Sequence, residues 1–450
     1  MLEVVFFVKV FINMKREFEE LYQSKLTTAE EAVKIVKSGD RVYGGTASSG
    51  AYALLEALWN RRHELENVTI LGSNNYQYTP IYDESIDNPF LFNTYFMGIN
   101  ERKRLKSGNP LTYNSVHRSK IDLWVRDIGK PDVCFFEVSK PDEDGYMSFG
   151  PSGVALHKYV QTASKHIIVQ VNNNTPFVLG KDNKLHISEV DSIVEADWKY
   201  DDYSAGEPDE VSKQIAKHVL MEIHDADTIQ LGLGNISIAI GYGLKEFNDL
   251  GVYTELLAQP MYELALNGNI SNNYKGFMDG KSVYSFCMGK PSLYKALDHN
   301  EEYFAAPFTF VNDSRNIAKN MNMKSINSAM AFNIYGEAAA DCMEWRQYSG
   351  TGGQSDFVRG AQWSKGGKSI IATSSSFMKN GKRISKIVPF FAPGTAITTT
   401  RSDIHYVATE YGCIDIRALT MQDRARAMIS LAHPDFREEL TSQAKDHGLL

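Results

Sequence analysis

Two stretches of this 450-residue chain follow one plan, and that repetition restricts the fold more than any other feature. The first, EEAVKIVKSGDRVYGGTASSGAYALLEAL, begins at Glu30, and the second, EVSKQIAKHVLMEIHDADTIQLGLGNISIAIGYGL, begins at Glu210. In each, a helix-period segment leads through Gly39 or Asp225 to an aspartate, Asp40 or Asp227, then to a hydrophobic strand. A glycine turn follows (Gly44 and Gly45; Gly232 and Gly234), and then a second helical segment. Two homologous α/β domains would leave this trace, although unrelated α/β units can converge on it. The chain also exceeds the roughly 250 to 300 residues over which one hydrophobic core keeps growing. Two domains are therefore expected, 1–205 and 206–450. The join falls in the acidic stretch DWKYDDYSAGEPDE, where glycine, proline and charge interrupt the periodicity.

Short β-branched or aromatic runs bounded by Gly, Asn or Ser recur along the chain: DRVYGG, NVTILGS, DVCFFEV, HIIVQVNN, DTIQLGLG, KSIIATSSS and HYVATEYG. Between many of them lie amphipathic helical stretches, TAEEAVKIVKSG, SGAYALLEALWNRRHEL, EPDEVSKQIAKHVLMEI and SIAIGYGLKEF among them. Strands alternating with helices predict an α/β fold with mostly parallel sheets. The first thirteen residues, MLEVVFFVKVFIN, are apolar but shorter than the ~20 residues a bilayer crossing needs, and are read as an extension ahead of Met14. No membrane association is expected.

Lys plus Arg total 47 against 55 for Asp plus Glu, a formal charge of −8, so there is no global basic field to hold a nucleic acid. The four cysteines, at 134, 287, 342 and 413, form neither a CxxC pair nor a disulfide framework, which fits a cytoplasmic protein. Eleven histidines occur without an HExxH-like spacing, so no metal site is expected.

Two glycine loops could meet a ligand. Gly232 and Gly234 lie between a strand and a helix, where backbone amides and the helix dipole can receive an anion; a plain tight turn is the competing reading. The stretch YSGTGGQSDFVRGA places Gly350, Gly352 and Gly353 within four positions, followed by Gln354 and Asp356. Successive N–H groups there could converge on an oxygen as an oxyanion hole, or the segment could simply turn. Glu255, after the strand-like VYT, offers a carboxylate, which is ionised at neutral pH and can act as a nucleophile without a base. His433-Pro434-Asp435-Phe436 reads as a helix end and restart. Cys413 reads as a small buried hydrophobe.

With QLGLGNI, GVYTELL, SFCMGKPSLY, SINSAMAFNIYGE, YSGTGGQSDFVRGA, RISKIVPFF, TEYG and SLAHPDFREEL in this order, the chain resembles the acetyl-CoA hydrolase/transferase family, in its 4-hydroxybutyrate and butyryl-CoA:acetate CoA-transferase branch. The resemblance covers nearly everything after Met14. It implies two related α/β domains of CoA-transferase type and a short-chain acyl-CoA with a free carboxylate as substrates. It implies no resident cofactor, and a homodimer or larger homo-oligomer. By the same resemblance Glu255 is the nucleophile, passing through an acyl anhydride to a glutamyl-CoA thioester. Gly232, Leu233, Gly234, Asn235 and Ile236 match the first CoA loop, and Met330 and Gly353 fall at positions of CoA contact. Hydrolysis of acyl-CoA on the same scaffold, transfer to a dicarboxylate such as succinate or itaconate, and a noncatalytic acyl-CoA-binding module stay open. Two departures stand out. Tyr253 occupies a position where the family commonly has His, and is expected to tune the acceptor from beside the carboxylate. Ser48, Ser49 and Gly50 stand where a proline is frequent.

Overall fold

The computed structural model describes residues 14–73, 79–82, 88–127, 130–203 and 206–450. The expected extension, 1–13, and the residues around which the domain join was placed, 204–205, lie outside them.

Two parallel sheets dominate. The first contains β1 Arg41–Thr46, β2 Thr69–Ser73, β3 Leu91–Thr94, β4 Leu111–Tyr113, β5 Val133–Val138, β6 His166–Val171 and β7 Ser192–Glu195, in the order β7-β6-β5-β1-β2-β3-β4. Every neighbouring pair along this path is parallel. The second contains β8 Thr228–Leu231, β9 Gly251–Val252, β10 Met323–Ser328, β11 Lys368–Ala372, β12 Tyr406–Thr409 and β13 Gly412–Asp415, in the order β9-β8-β10-β11-β12-β13. Only the edge strand β13 is antiparallel to its neighbour. All seven strand-like runs of the sequence are strands here.

The repeat extends to topology. With β3 and β4 of the first sheet and the antiparallel edge strand β13 of the second set aside as additions, both sheets have the strand order fifth-fourth-third-first-second. The turn before each first strand is also the same. Asp40 accepts a hydrogen bond from the Lys37 amide at 2.8 Å, and Asp227 one from the His224 amide at 2.8 Å. The carbonyls of the two aspartates accept from the opening residues of β2 and β9, Thr69 and Gly251, both at 2.9 Å. Each first strand leads into a helix, α1 Tyr52–Asn60 after β1 and α3 Asn235–Gly243 after β8, but the expected glycine turn is found only in the second half, because Gly44 and Gly45 lie inside β1; α2 Glu210–Leu220 precedes β8 and is N-capped by Asp209.

No gap separates the two halves. Leu256, Phe286 and Phe308 are buried in one apolar cluster with Tyr43, Tyr95 and Phe149, whereas Val154, Val178 and Tyr200 belong to a cluster built mainly from the second half. At the C-terminus, His433 caps α6 Pro434–Asp446: its Nδ1 accepts from the Asp435 amide, as the helix-restart reading expects. Two further helices of the second half, α4 Gln354–Trp363 and α5 Met421–Leu431, complete the scaffold used below. Among the described residues no helix is long and apolar enough to cross a membrane.

Candidate active site

Glu255 sits where the chain passes from β9 to a short strand, Leu256–Ala258, that pairs in parallel with Phe286–Met288. Its carbonyl accepts from the amides of both Ser285 and Phe286 at 3.1 Å, which pins the backbone. Thr254 is fully buried, while at the bend that follows, the Glu255 side chain, 15% exposed, faces a cavity of about 540 Å³.

Two side chains hold the carboxylate. Asn312 Nδ2 donates to Oε2 at 2.6 Å, and the Arg118 guanidinium approaches Oε1 with Nε at 3.6 Å, an ion pair without a hydrogen bond. Arg118 comes from the first half, is nearly buried, and lies against the rings of Phe308 at 4.5 Å, Phe96 at 4.8 Å and Tyr95 at 5.0 Å. Its own backbone amide donates to the Gly352 carbonyl. The next residue, Ser119, gives both its amide and its hydroxyl to Asp356, at 3.1 and 2.7 Å, so the seam between halves is hydrogen-bonded beside the carboxylate.

The glycine loops meet at this point. Gly353 is pressed against the carboxylate so closely that a Cβ there would lie 1.9 Å from Glu255 Oε2 and 2.0 Å from Asn312 Nδ2. Gly232, Leu233, Gly234, Met330 and Gly353 line the cavity with Glu255. Asn235 and Ile236 do not: they form the first turn of α3, Asn235 exposed and Ile236 packed on the core. Gly234 precedes α3 at φ 106°, and Gly353 precedes α4, so two helix N-termini begin at one cavity. The amides of Gly234, Asn235, Gly353 and Gln354 make no hydrogen bond among the described residues, which leaves them free for an anionic or developing oxyanionic atom. Phe96, Leu256, Phe286 and Phe357 supply apolar wall.

Tyr253 corrects the expectation drawn for it. Its phenol is fully buried, pointing away from the cavity into a cluster with Val283, Val311 and Phe357, and donates to the Phe310 carbonyl at 3.2 Å. It supports the segment carrying Asn312 and does not line the Glu255 cavity. Tyr253→His is therefore expected to cost about 2 kcal/mol or more through lost packing and a poorly satisfied buried ring, without reordering preferences. Unfolding titrations and a carboxylate panel on the same variant check both halves of that statement. Ser48 and Ser49 are likewise buried, hydrogen-bonded to Ser152 and to the Gly153 amide, behind Arg118 and outside the cavity wall.

Burial lifts the Asp356 carboxyl to about 7 against the pull of its Ser119 donors, with the Glu255 charge adding to the rise. A carboxyl raised in the folded state contributes stability that is complete below its unfolded value, near 3.8, and is lost as pH climbs through about 7. Asp356→Asn keeps the shape and can still accept from the Ser119 amide while donating to its hydroxyl. Its thermal midpoint relative to wild type should rise between pH 4 and 7 and level off above that; a difference independent of pH would refute the assignment.

Arg118, Asn312 and Ser119 were invisible as site residues in the sequence. HRSK and FVNDS carry no motif, and only the approach of separated segments gives them a role.

The N-terminal domain signature of acetyl-CoA hydrolase/transferase matches residues 12–200 and its C-terminal domain signature residues 289–444. A butyryl-CoA:acetate CoA-transferase of Anaerostipes caccae is 37% identical, over 95% of this chain and 97% of its own length. A 4-hydroxybutyrate coenzyme A transferase of Clostridium kluyveri is 36% identical, over 95% and 99%. The crystal structure of RipA from Yersinia pestis superposes with a TM-score of 0.89 at 32% identity, covering 96% of this chain and all of that one. The chain belongs to the acetyl-CoA hydrolase/transferase family. Within it, this is a CoA-transferase.

Proposed function

We propose that the protein moves CoA from a short-chain acyl-CoA to a free carboxylate, butyrate, 4-hydroxybutyrate or acetate being the acids to try first, through a covalent intermediate on Glu255. The observation that carries the reading is that Glu255 is the only carboxylate among the described residues lining the cavity, held where both glycine loops converge. The Glu255 carboxylate attacks the thioester carbonyl, the tetrahedral oxyanion collapses, and the C–S bond breaks to give an acyl-glutamyl anhydride and CoA thiolate. The thiolate then attacks the glutamyl carbonyl, releasing the first acid as carboxylate and leaving a glutamyl-CoA thioester. An acceptor carboxylate runs the same two steps in reverse. Charge is conserved throughout and no proton need move.

The residues supply position and electrostatics. Arg118 and Asn312 orient the carboxylate, and the open amides at Gly353 and Gln354 are placed to stabilise oxyanions. The apolar wall disfavours water as acceptor, which favours transfer over hydrolysis. The names of the two relatives support the choice of acids. Incubation of acetyl-CoA with each acid, with the acyl-CoA products identified by mass spectrometry, tests the reading. CoA released at the same rate with no acid present would make the protein a hydrolase instead.

A further inference from the structure

A second cavity, of about 560 Å³, shares no lining residue with the first. Its position follows from the repeat. In the second sheet, the segments leaving the carboxyl ends of β8 and β10 open into the Glu255 cavity. In the first sheet, the segments leaving β5, β6 and β7, namely 139–142, 173–177 and 199–200, open into this one. Crevices outside the carboxyl ends of parallel strands are where open α/β sheets take ligands. The far wall comes from the other half, through the helix Pro291–Ala296 and residues 298–299, so an occupant would touch both halves.

The lining has a definite chemistry. Its two carboxylates are engaged: Asp142 accepts from the amides of Asp144 and Tyr146, and Asp298 accepts from the Phe177 amide while lying 3.2 Å from His299 Nδ1. The ammonium groups of Lys140 and Lys295, by contrast, form no ion pair among the described residues, leaving free positive charge on opposite sides of the seam. Two stacked ring pairs share the lining, Tyr200 on Tyr294 at 4.3 Å and Phe177 on His299 at 5.0 Å; the tyrosines and Phe177 are buried, and His299 presents the open ring. Beneath this surface Tyr200 and Thr175 are fixed by hydrogen bonds of 2.6 and 2.7 Å to the buried Glu137, so the floor is rigid.

We propose that this cavity binds a small organic anion carrying two or more negative charges on a flat aromatic body, its charge met by Lys140 and Lys295 and its ring by the exposed imidazole of His299, which Phe177 backs. Free ammonium groups and the exposed His299 ring in one crevice select for that pairing, as neither an inorganic anion nor a neutral ring uses both.

The probes are ADP, inorganic pyrophosphate and adenosine, titrated calorimetrically into the full-length protein at low salt. ADP is expected to bind more tightly than either fragment. The double variant Lys140→Ala/Lys295→Ala should weaken ADP by about tenfold or more, as expected for removal of two charged partners. Both lysines are at the surface, so the variant is expected to fold, and its thermal midpoint verifies that. Arg102→Ala, which removes a cation at the mouth of the Glu255 cavity, separates the two sites and should leave the ADP affinity within about twofold of wild type. The proposal is overturned if ADP does not bind at millimolar concentration, if pyrophosphate binds as tightly as ADP, or if affinity falls with Arg102→Ala and not with the lysine variant.

Discussion

Glu255→Gln should lower CoA exchange by about 10⁴-fold or more while leaving the fold intact, the scale seen when a catalytic nucleophile is removed. The substitution is nearly isosteric, and Asn312 and Arg118 can still frame the new amide. What is lost is the oxygen nucleophile. Wild type incubated with acyl-CoA and no acceptor should accumulate a glutamyl-CoA thioester, because the first half-reaction needs only donor and enzyme. Hydroxylamine or borohydride should then inactivate it, with the modified peptide spanning Gly251 to Gln259, and should leave it active when acyl-CoA is withheld. A label on a cysteine, or exchange by Glu255→Gln at the wild-type rate, would end the mechanism proposed here.

Gly353→Ala is the next most damaging change, with an expected loss of about 10²- to 10³-fold in kcat, roughly 3 to 4 kcal/mol, comparable to removing an oxyanion donor. The backbone is not the reason. At φ −100° and ψ 7° the position accepts alanine without strain. The reason is the single methyl group, which would stand 1.9 Å from Glu255 Oε2 and 2.0 Å from Asn312 Nδ2 and must push the carboxylate out of line. Overpacking of this kind costs about 1 to 3 kcal/mol of stability, so the protein should remain folded while its turnover collapses. Gly234→Ala makes the contrast. No atom lies within 4 Å of a Cβ there, and the burden is the positive φ of 106°, roughly 1 to 2 kcal/mol. Its effect should appear in KM for acyl-CoA more than in kcat. Equal kinetic profiles for the two alanines would remove the distinction between a loop pressed against the Glu255 carboxylate and a loop that lines the cavity.

Periodicity was enough to place the strands, because parallel strands buried on both faces are written as continuous apolar runs, as VCFFEV and HIIVQV are. The repeat was legible for a related reason: the aspartate before each first strand answers to local backbone geometry, accepting from the amide three residues earlier in both halves. Glu255, the two glycine loops and Met330 could be named because resemblance travels through contiguous motifs. Arg118 and Asn312 could not. Arg118 stands 137 positions before Glu255 in the chain, and its value lies in being buried among three aromatic rings that come from two separate segments. Tyr253 shows the converse failure. Standing two residues before Glu255 put it beside the carboxylate in sequence, but the path between β9 and the next strand sends its ring to the opposite side.

The carboxylate and the guanidinium that faces it belong to different halves, and the Ser119–Asp356 hydrogen bonds cross the same boundary. Continuity of the chain therefore acts as a tether. It holds the two halves at an effective concentration on the millimolar scale of a short linker, so formation of the pair does not depend on how dilute the protein is. Were residues 14–203 and 206–450 made as separate polypeptides, Arg118 would reach Glu255 only after a bimolecular encounter, and specific activity would fall on dilution. In the intact chain, the assembly of this pair is a first-order event.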